Sequence, residues 1–187
     1  NITVRFNDLL VTTSKYYNRK HLAGENNDTL LYVSALSLAV DLPSLVTGTV
    51  AVRSITARDG ELNVLTDRFG NINYEIFFSE SGSSKGVRLN SITAKNIATV
   101  YSDRESDVRI AGIIKDSNIS GEIFSTGIFL TASLDAGLSS LDVSTIHLKE
   151  IPATAEIRVR KSENSLSIAK GSLDLAGLSF SVDGTVN

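Results

Sequence analysis

Residues 36–78 read LSLAVDLPSLVTGTVAVRSITARDGELNVLTDRFGNINYEIFF, and this stretch decides the predicted fold. On both sides of a short central segment, apolar residues alternate with small or polar ones, which is the period of a half-buried β-strand. From Asp41 to Thr47 the pattern predicts one short helix, because Asp41 and Pro43 suit an N-cap and a first helical turn. Asp59-Gly60 is a two-residue hairpin signal, since glycine adopts positive φ without steric cost.

The same stretch contains a change of phase. Val52 and Ile55 are three residues apart, although side chains on one face of a strand recur every second residue. This spacing predicts a β-bulge near Ser54. Further on, Asp67 begins a predicted turn before the alternation resumes at Ile72.

Alternation of this kind continues to the end of the chain, and no segment has a sustained helical period. The connections are short, which favours antiparallel pairing. We therefore predict an all-β fold, a mostly antiparallel meander of about 11–12 strands in one domain over residues 1–187. SITAR at residues 54–58 is echoed by SITAK at residues 91–95. We interpret residues 54–68 and 91–104 as two similar meander units in one sheet.

Composition excludes several classes of function. The chain has no cysteine, which removes thiol catalysis and cysteine-ligated zinc. A net charge of −3 does not favour nucleic acid. No apolar run reaches the ~20 residues that cross a bilayer. Because the chain starts at Asn1, contains no methionine and opens in strand-like sequence, we expect it to be an excised segment of a longer protein.

Candidate catalytic residues have structural explanations. His21 lies in a polar stretch and His147 in ordinary strand sequence, and neither belongs to a metal-binding or nucleophile motif. Asp67 and Asp103 stand where turns need side chains that bond their own backbone. A basic cluster at residues 158–161 alternates with apolar residues, as on a solvated strand face. We expect no catalytic residue, no metal ligand and no cofactor.

An antiparallel sheet with one apolar face must cover that face. The chain has three ways to do so: a second sheet stacked on the first, closure into a barrel, or coverage by a molecule from outside the chain. The third arrangement leaves an apolar groove. Periodicity alone leaves all three open.

Several motifs in order carry a resemblance to a known family. They comprise Val40-Asp41-Leu42 with Leu45, the alternating positions 52–64, and Asp67, Gly70, Asn73 and Tyr74. Residues 4–11, 89–103 and 171–186 extend the similarity over most of the chain. This order of motifs resembles the AsmA-like family of bacterial cell-envelope proteins.

The resemblance implies a curved, incompletely closed sheet whose groove shields or transfers lipid in support of outer-membrane assembly. It implies a non-enzymatic periplasmic protein of a Gram-negative bacterium, anchored to the inner membrane by a segment before residue 1. Phospholipid or another envelope lipid is the expected ligand, and other envelope proteins are candidate partners. The alternative is a β-sandwich that binds a protein partner. Our candidate groove residues are Leu36, Leu38, Val50, Val52, Leu62, Val64, Ile72 and Tyr74.

Overall fold

The computed structural model describes residues 2–13, 28–40, 51–74, 87–124, 127–162 and 165–186. Within these ranges the chain is all-β, without a helix. The expected helix from Asp41 to Thr47 lies outside the described residues. The strands are β1 (Ile2–Thr12), β2 (Thr29–Val40), β3 (Ala51–Thr66), β4 (Val87–Asp103), β5 (Val108–Phe124), β6 (Gly127–Val143), β7 (Ile146–Ser162), β8 (Leu166–Leu175) and β9 (Leu178–Val186).

The strands form one open sheet in chain order, from β1 at one edge to β9 at the other. Every neighbouring pair is antiparallel except β3 and β4, which are parallel. The all-β, mostly antiparallel prediction is confirmed. The described residues form nine strands, where 11–12 are expected for the whole chain. Asp59-Gly60, the expected turn between two strands, is an irregularity inside one continuous strand.

Residues 67–86 connect β3 to β4, and a connection of this length allows the crossover that parallel strands need. The two copies of the sequence echo lie side by side in this parallel pair. Ile55 pairs with Ile92, and Arg58 pairs with Lys95, so the two SIT-A segments are in register. The echo therefore places like residues next to each other across the sheet.

The predicted hairpin at Asp59-Gly60 is wrong, because both residues lie inside β3. Asp59 has a positive φ of 52°, and the neighbouring Asn96 of β4 has one of 54°. The Asn96 side-chain amide donates to Asp59 Oδ1 at 2.6 Å. In β1, Asp8 occupies the same level of the sheet with a φ of 55°. Asp and Asn tolerate this left-handed conformation better than most residues.

These three residues form a row of irregularities across the sheet, which we call the bulge row (Asp8, Asp59 and Asn96). The apolar residues change parity at each of them: in β3 they are Ile55 and Ala57 before the row, and Leu62 and Val64 after it. A residue with left-handed dihedrals does not continue the strand alternation. The bulge row therefore absorbs the parity change and keeps apolar side chains on one face.

The β-bulge expected near Ser54 is confirmed, and β8 contains a further irregularity. The register between β2 and β3 shifts between Ala39 and Val40, so that Arg53 is the extra residue beside the expected Ser54. In β8 the register shifts between Ile168 and Gly171. Both shifts are the bulges that the sequence phase requires.

The predicted turn after β3 is present. Of the strand expected from Ile72, the structure describes residues up to Tyr74, which make one bridge, from Ile72 to Thr66. Asp67 accepts the backbone N–H groups of Phe69 at 2.8 Å and Asn71 at 3.0 Å. Fully buried Asn73 donates to the carbonyl of Asn63 at 2.7 Å and accepts from the N–H of Leu65 at 2.9 Å. The turn thus supplies hydrogen-bond partners for backbone groups near the carboxyl end of β3.

Candidate functional site

The candidate site is the face of the sheet that carries the aliphatic side chains, which we call the apolar face. Residues directly opposite each other on paired strands share a face, so the register defines rows that cross the sheet. One row runs through all nine strands with no polar side chain: Val4, Leu38, Ile55, Ile92, Ile119, Ala132, Ile157, Gly171 and Val182. The sheet is therefore apolar across its whole width.

A second row follows the bulge row and consists of Leu9, Val33, Gly60, Ile97, Ile114, Ala136, Ala153, Leu175 and Leu178. Several of these residues are small. Even so, Val33 is 0% exposed and Ile97 only 2%. The left-handed residues of the bulge row interrupt the regular strand conformation beside it, and we infer that the sheet bends along this row with the apolar face inside. Ala136 and Ala153 of this row are likewise buried, at 3% and 5% exposed.

The opposite face is polar over most of its area, and we call it the polar face. One of its rows contains Arg5, Ser37, Thr56, Thr93, Asn118, Ser133, Glu156, Ser172 and Ser181. In the next row, Lys95 Nζ lies 2.8 Å from Asp116 Oδ2. A few apolar residues interrupt the polar face, such as Leu65, which packs against Val100. The two faces nevertheless differ sharply in polarity.

No second layer covers the apolar face within the described residues, because the only substantial contacts between strands join sheet neighbours. Many apolar-face residues are half-buried, and some are well exposed: Ile157 is 38% exposed and Phe180 50%. A two-layer sandwich would need a second sheet, and the described residues form one. The described part of the chain is thus a single layer with an apolar side.

The predicted groove residues converge on the apolar face. Leu36, Leu38 and Val52 lie on it before the bulge row, and Leu62 and Val64 lie on it after that row. Ile72 bridges to Thr66, at the end of the same face. Val50 lies outside the described residues.

Tyr74 is half-buried beside Tyr101, the partner of Val64. Burial, the carboxylate of Asp103 and the hydroxyl of Tyr74 together raise the pKa of the Tyr101 phenol. Asp103 itself has a lowered pKa: burial favours the neutral acid, but hydrogen bonds from Ser106 and Glu105 outweigh that effect. Polar groups thus collect at the end of the apolar face formed by the carboxyl ends of β3 and β4.

Asp103 uses its carboxylate as expected for a turn residue. Its Oδ1 accepts the N–H groups of Glu105 at 2.9 Å and Ser106 at 3.2 Å. His147 is exposed, and its Nδ1 lies 2.9 Å from Asp142 Oδ1. This contact lowers the pKa of Asp142. His21 lies outside the described residues.

The basic cluster does not form one patch. Arg158 and Arg160 are on the polar face, where the Arg160 guanidinium lies 4.5 Å from the centre of the Phe129 ring. Lys161 pairs with Ile128 and Leu166 and falls on the other side, within an otherwise apolar row. In the part of the chain that the structure describes, no group of three or more His, Cys, Asp or Glu side chains could hold a metal ion.

Sequence reasoning missed most of the site: the apolar residues of β5 to β9 and the small residues at the bend. The parity switches contained the signal. Asp8, Asp59 and Asn96 each stand where apolar residues move from one parity to the other, and each is a residue type that accepts positive φ. Joining the strand segments across these positions recovers the apolar face of β1, β3 and β4.

Among the described residues, no helix has the length and apolarity needed to span a membrane. Comparison with protein-family models and with curated proteins finds no match to this chain.

Proposed function

We propose that this protein shields or transfers lipid on the apolar face, without catalysis. The observation that carries the proposal is the apolar row that crosses all nine strands of a single-layered sheet. Large exposed apolar surfaces on a protein indicate a binding site. Acyl chains suit this surface because it is long, aliphatic and nearly free of charge.

The free energy comes from partition. An acyl chain leaves water for an apolar surface, which contributes about 0.8 kcal/mol for each buried methylene group. No cofactor takes part in this process. The half-buried and exposed residues of the apolar face, such as Ile157 and Phe180, supply the surface on which acyl chains would lie.

Polarity at one end of the apolar face supports an orientation for the lipid. Tyr74, Tyr101 and Asp103 stand at that end, whereas rows nearer the middle are aliphatic. Hydroxyl groups of this kind can bond the ester and headgroup oxygens of a lipid. We place the headgroup there and the acyl chains toward the bend.

The cellular role rests on the resemblance to AsmA-like proteins. By that resemblance, the protein acts in the periplasm of a Gram-negative bacterium, anchored at the inner membrane, and supports outer-membrane assembly. Its ligand is phospholipid or another envelope lipid, and other envelope proteins are its partners. The apolar sheet supports this role because the function implied by the resemblance requires such a surface.

Lipid extraction tests the proposal. Protein purified from bacterial membranes in mild conditions should carry phospholipid that mass spectrometry identifies. Ile157→Glu places a charge on the exposed part of the apolar face, and Thr131→Glu places the same charge on the exposed polar face. We expect lipid to be lost from Ile157→Glu and kept by Thr131→Glu. Equal lipid content in both variants, or none in the parent, would contradict the proposal.

A further inference from the structure

Asp103 places a negative charge on the apolar face, at the end that we assign to the headgroup. Beyond the bulge row, the paired rows of this face otherwise carry aliphatic, small, tyrosine or threonine side chains. Asp103 is half-buried at the carboxyl end of β4, in a row with Thr66, Val108 and Val143. A charge beside apolar surface costs free energy unless a partner compensates it. The partners of Asp103 therefore bear on the identity of the ligand.

Hydrogen bonds hold the Asp103 carboxylate in place but leave its charge without a cation. The N–H groups of Glu105 and Ser106 donate to Oδ1 at 2.9 Å and 3.2 Å, and the Ser106 side chain donates as well. Burial favours the neutral acid, but these bonds lower the pKa of Asp103, so the group is ionised at neutral pH. Among the described residues, no Lys, Arg or His forms an ion pair with it. A carboxylate has about four acceptor sites, so Asp103 can still accept a hydrogen bond from a cationic ligand.

A tyrosine pair lies beside Asp103. Tyr101 is on the same face two residues nearer the bend, which is roughly 7 Å along an extended strand. Burial, Asp103 and the neighbouring Tyr74 raise the pKa of the Tyr101 phenol, so this phenol stays protonated and can donate a hydrogen bond. From the bend outward, the face thus offers aliphatic side chains, then a phenol hydroxyl, then a carboxylate. A phospholipid with an amine headgroup has the matching order: acyl chains, ester and phosphate oxygens, then a protonated amine on a short spacer.

We propose that the lipid bound on the apolar face carries an amine in its headgroup, and that Asp103 accepts the protonated amine. The phenol hydroxyl of Tyr101 bonds the oxygens that precede the amine. Charge complementarity gives a preference, because an ionised carboxylate attracts an ammonium group and repels a headgroup that carries only negative charge. Phosphatidylethanolamine should therefore bind better than phosphatidylglycerol with the same acyl chains. This preference rests on the proposed lipid binding and specifies the class of headgroup.

The opposite end of the apolar face offers the contrary charge. Lys161 is exposed there, and the residues paired in its row are otherwise apolar, without a hydroxyl group. A headgroup at that end would favour an anionic lipid. The Asp103 end fits a complete headgroup better, because a hydroxyl donor and a charge occur there together, in the order that a phospholipid requires.

Vesicles that contain equal amounts of phosphatidylethanolamine and phosphatidylglycerol, with the same acyl chains, test the preference. The protein is incubated with them and re-isolated, and mass spectrometry measures the two bound lipids. We expect the parent to be enriched in phosphatidylethanolamine about threefold or more. Asp103→Asn keeps the Oδ1 acceptor of the turn but removes the charge, so it should bind the two lipids equally. Asp135→Asn is the matched control: it removes the same charge from the exposed polar face and should keep the enrichment.

A change of the lipid tests the same contact without altering the protein. N-acetylation of phosphatidylethanolamine removes the positive charge of the amine and should abolish the enrichment in the parent. Equal binding of the two lipids by the parent, or enrichment that survives in Asp103→Asn or with the acetylated lipid, would overturn the amine preference while the total bound lipid still supported lipid binding. Enrichment in phosphatidylglycerol that Lys161→Gln removes would also overturn it, and would move the headgroup to the other end. A parent that binds no lipid would overturn the preference together with the proposed function.

Discussion

Gly60 tests whether β3 runs unbroken past the bulge row. A Cβ atom on Gly60 would overlap the carbonyl oxygen of Tyr32 and lie 2.9 Å from Val33 Cα. Both are backbone atoms of β2, so Gly60→Ala can be accommodated only if two paired strands move apart. Overpacking of this kind costs about 1–3 kcal/mol. Gly137→Ala is the matched control, because the nearest atom to its Cβ is the flexible Lys115 Cε, at 3.5 Å.

Urea unfolding measures the difference. Both substitutions restrict the unfolded chain equally, a gain of about 0.4–1 kcal/mol that cancels in the comparison. With a urea slope of about 1–3 kcal/mol per molar, the midpoint of Gly60→Ala should fall by roughly 1 M below that of Gly137→Ala. Coincident midpoints would show that β2 and β3 do not approach each other closely at Gly60, and the bulge row would have to be abandoned.

Three further predictions concern other parts of the sheet. Asn73→Ala should lower the free energy of unfolding, measured in urea, by about 2–4 kcal/mol, because two buried backbone groups of β3 lose their hydrogen-bond partner. The exposed Asn118→Ala is the control, and a smaller loss of stability for Asn73→Ala than for Asn118→Ala would refute this prediction. Val52→Asp, half-buried on an open face, should cost about 1–2 kcal/mol and leave a folded protein by circular dichroism, whereas a face covered by protein would prevent folding. The contact with His147 lowers the pKa of Asp142, so this contact stabilises the fold at pH values above the ordinary Asp pKa of about 3.9. The stabilisation is lost as the pH falls through the lowered pKa. Thermal melts should therefore show that Asp142→Asn flattens the loss of stability in that acid range, and parallel melts of parent and variant would contradict the assignment.

The sequence predicts the all-β fold because the alternation of apolar residues is local and persistent. It also predicts the turn role of Asp67 and Asp103, since each bonds backbone N–H groups within a few residues of itself. The bulge beside Ser54 follows in the same way from the spacing of Val52 and Ile55. These features depend on chain neighbours alone.

Other features depend on strands that are distant in sequence. Asp59-Gly60 has the residue types of a turn, but a left-handed residue inside a strand needs the same conformation. Only the contact of Asp59 with Asn96 and the pairing of Gly60 with Val33 distinguish the two. Treating the site as a turn raised the expected number of strands. The parallel pairing of β3 with β4 likewise depends on the path of a long connection. The residues of β5 to β9 could be assigned to the apolar face only from their register.

The central claim is that the apolar face is open to lipid. The chain contains no cysteine, so single cysteines can carry an environment-sensitive fluorophore at chosen positions. Ala132 lies between Ile119 and Ile157 on the apolar face, while the next residue, Ser133, lies on the polar face. Ala132→Cys and Ser133→Cys are both small changes, and the two labels differ only in the face that they report.

The decisive measurement is the fluorescence and iodide quenching of the two labelled proteins with and without phospholipid vesicles. We expect the label at position 132 to be quenched by iodide in the absence of lipid, and to shift to the blue and become protected when lipid is added. The label at position 133 should not change. If the label at position 132 is protected before lipid is added, or if both labels respond alike, the apolar face is not an open lipid surface.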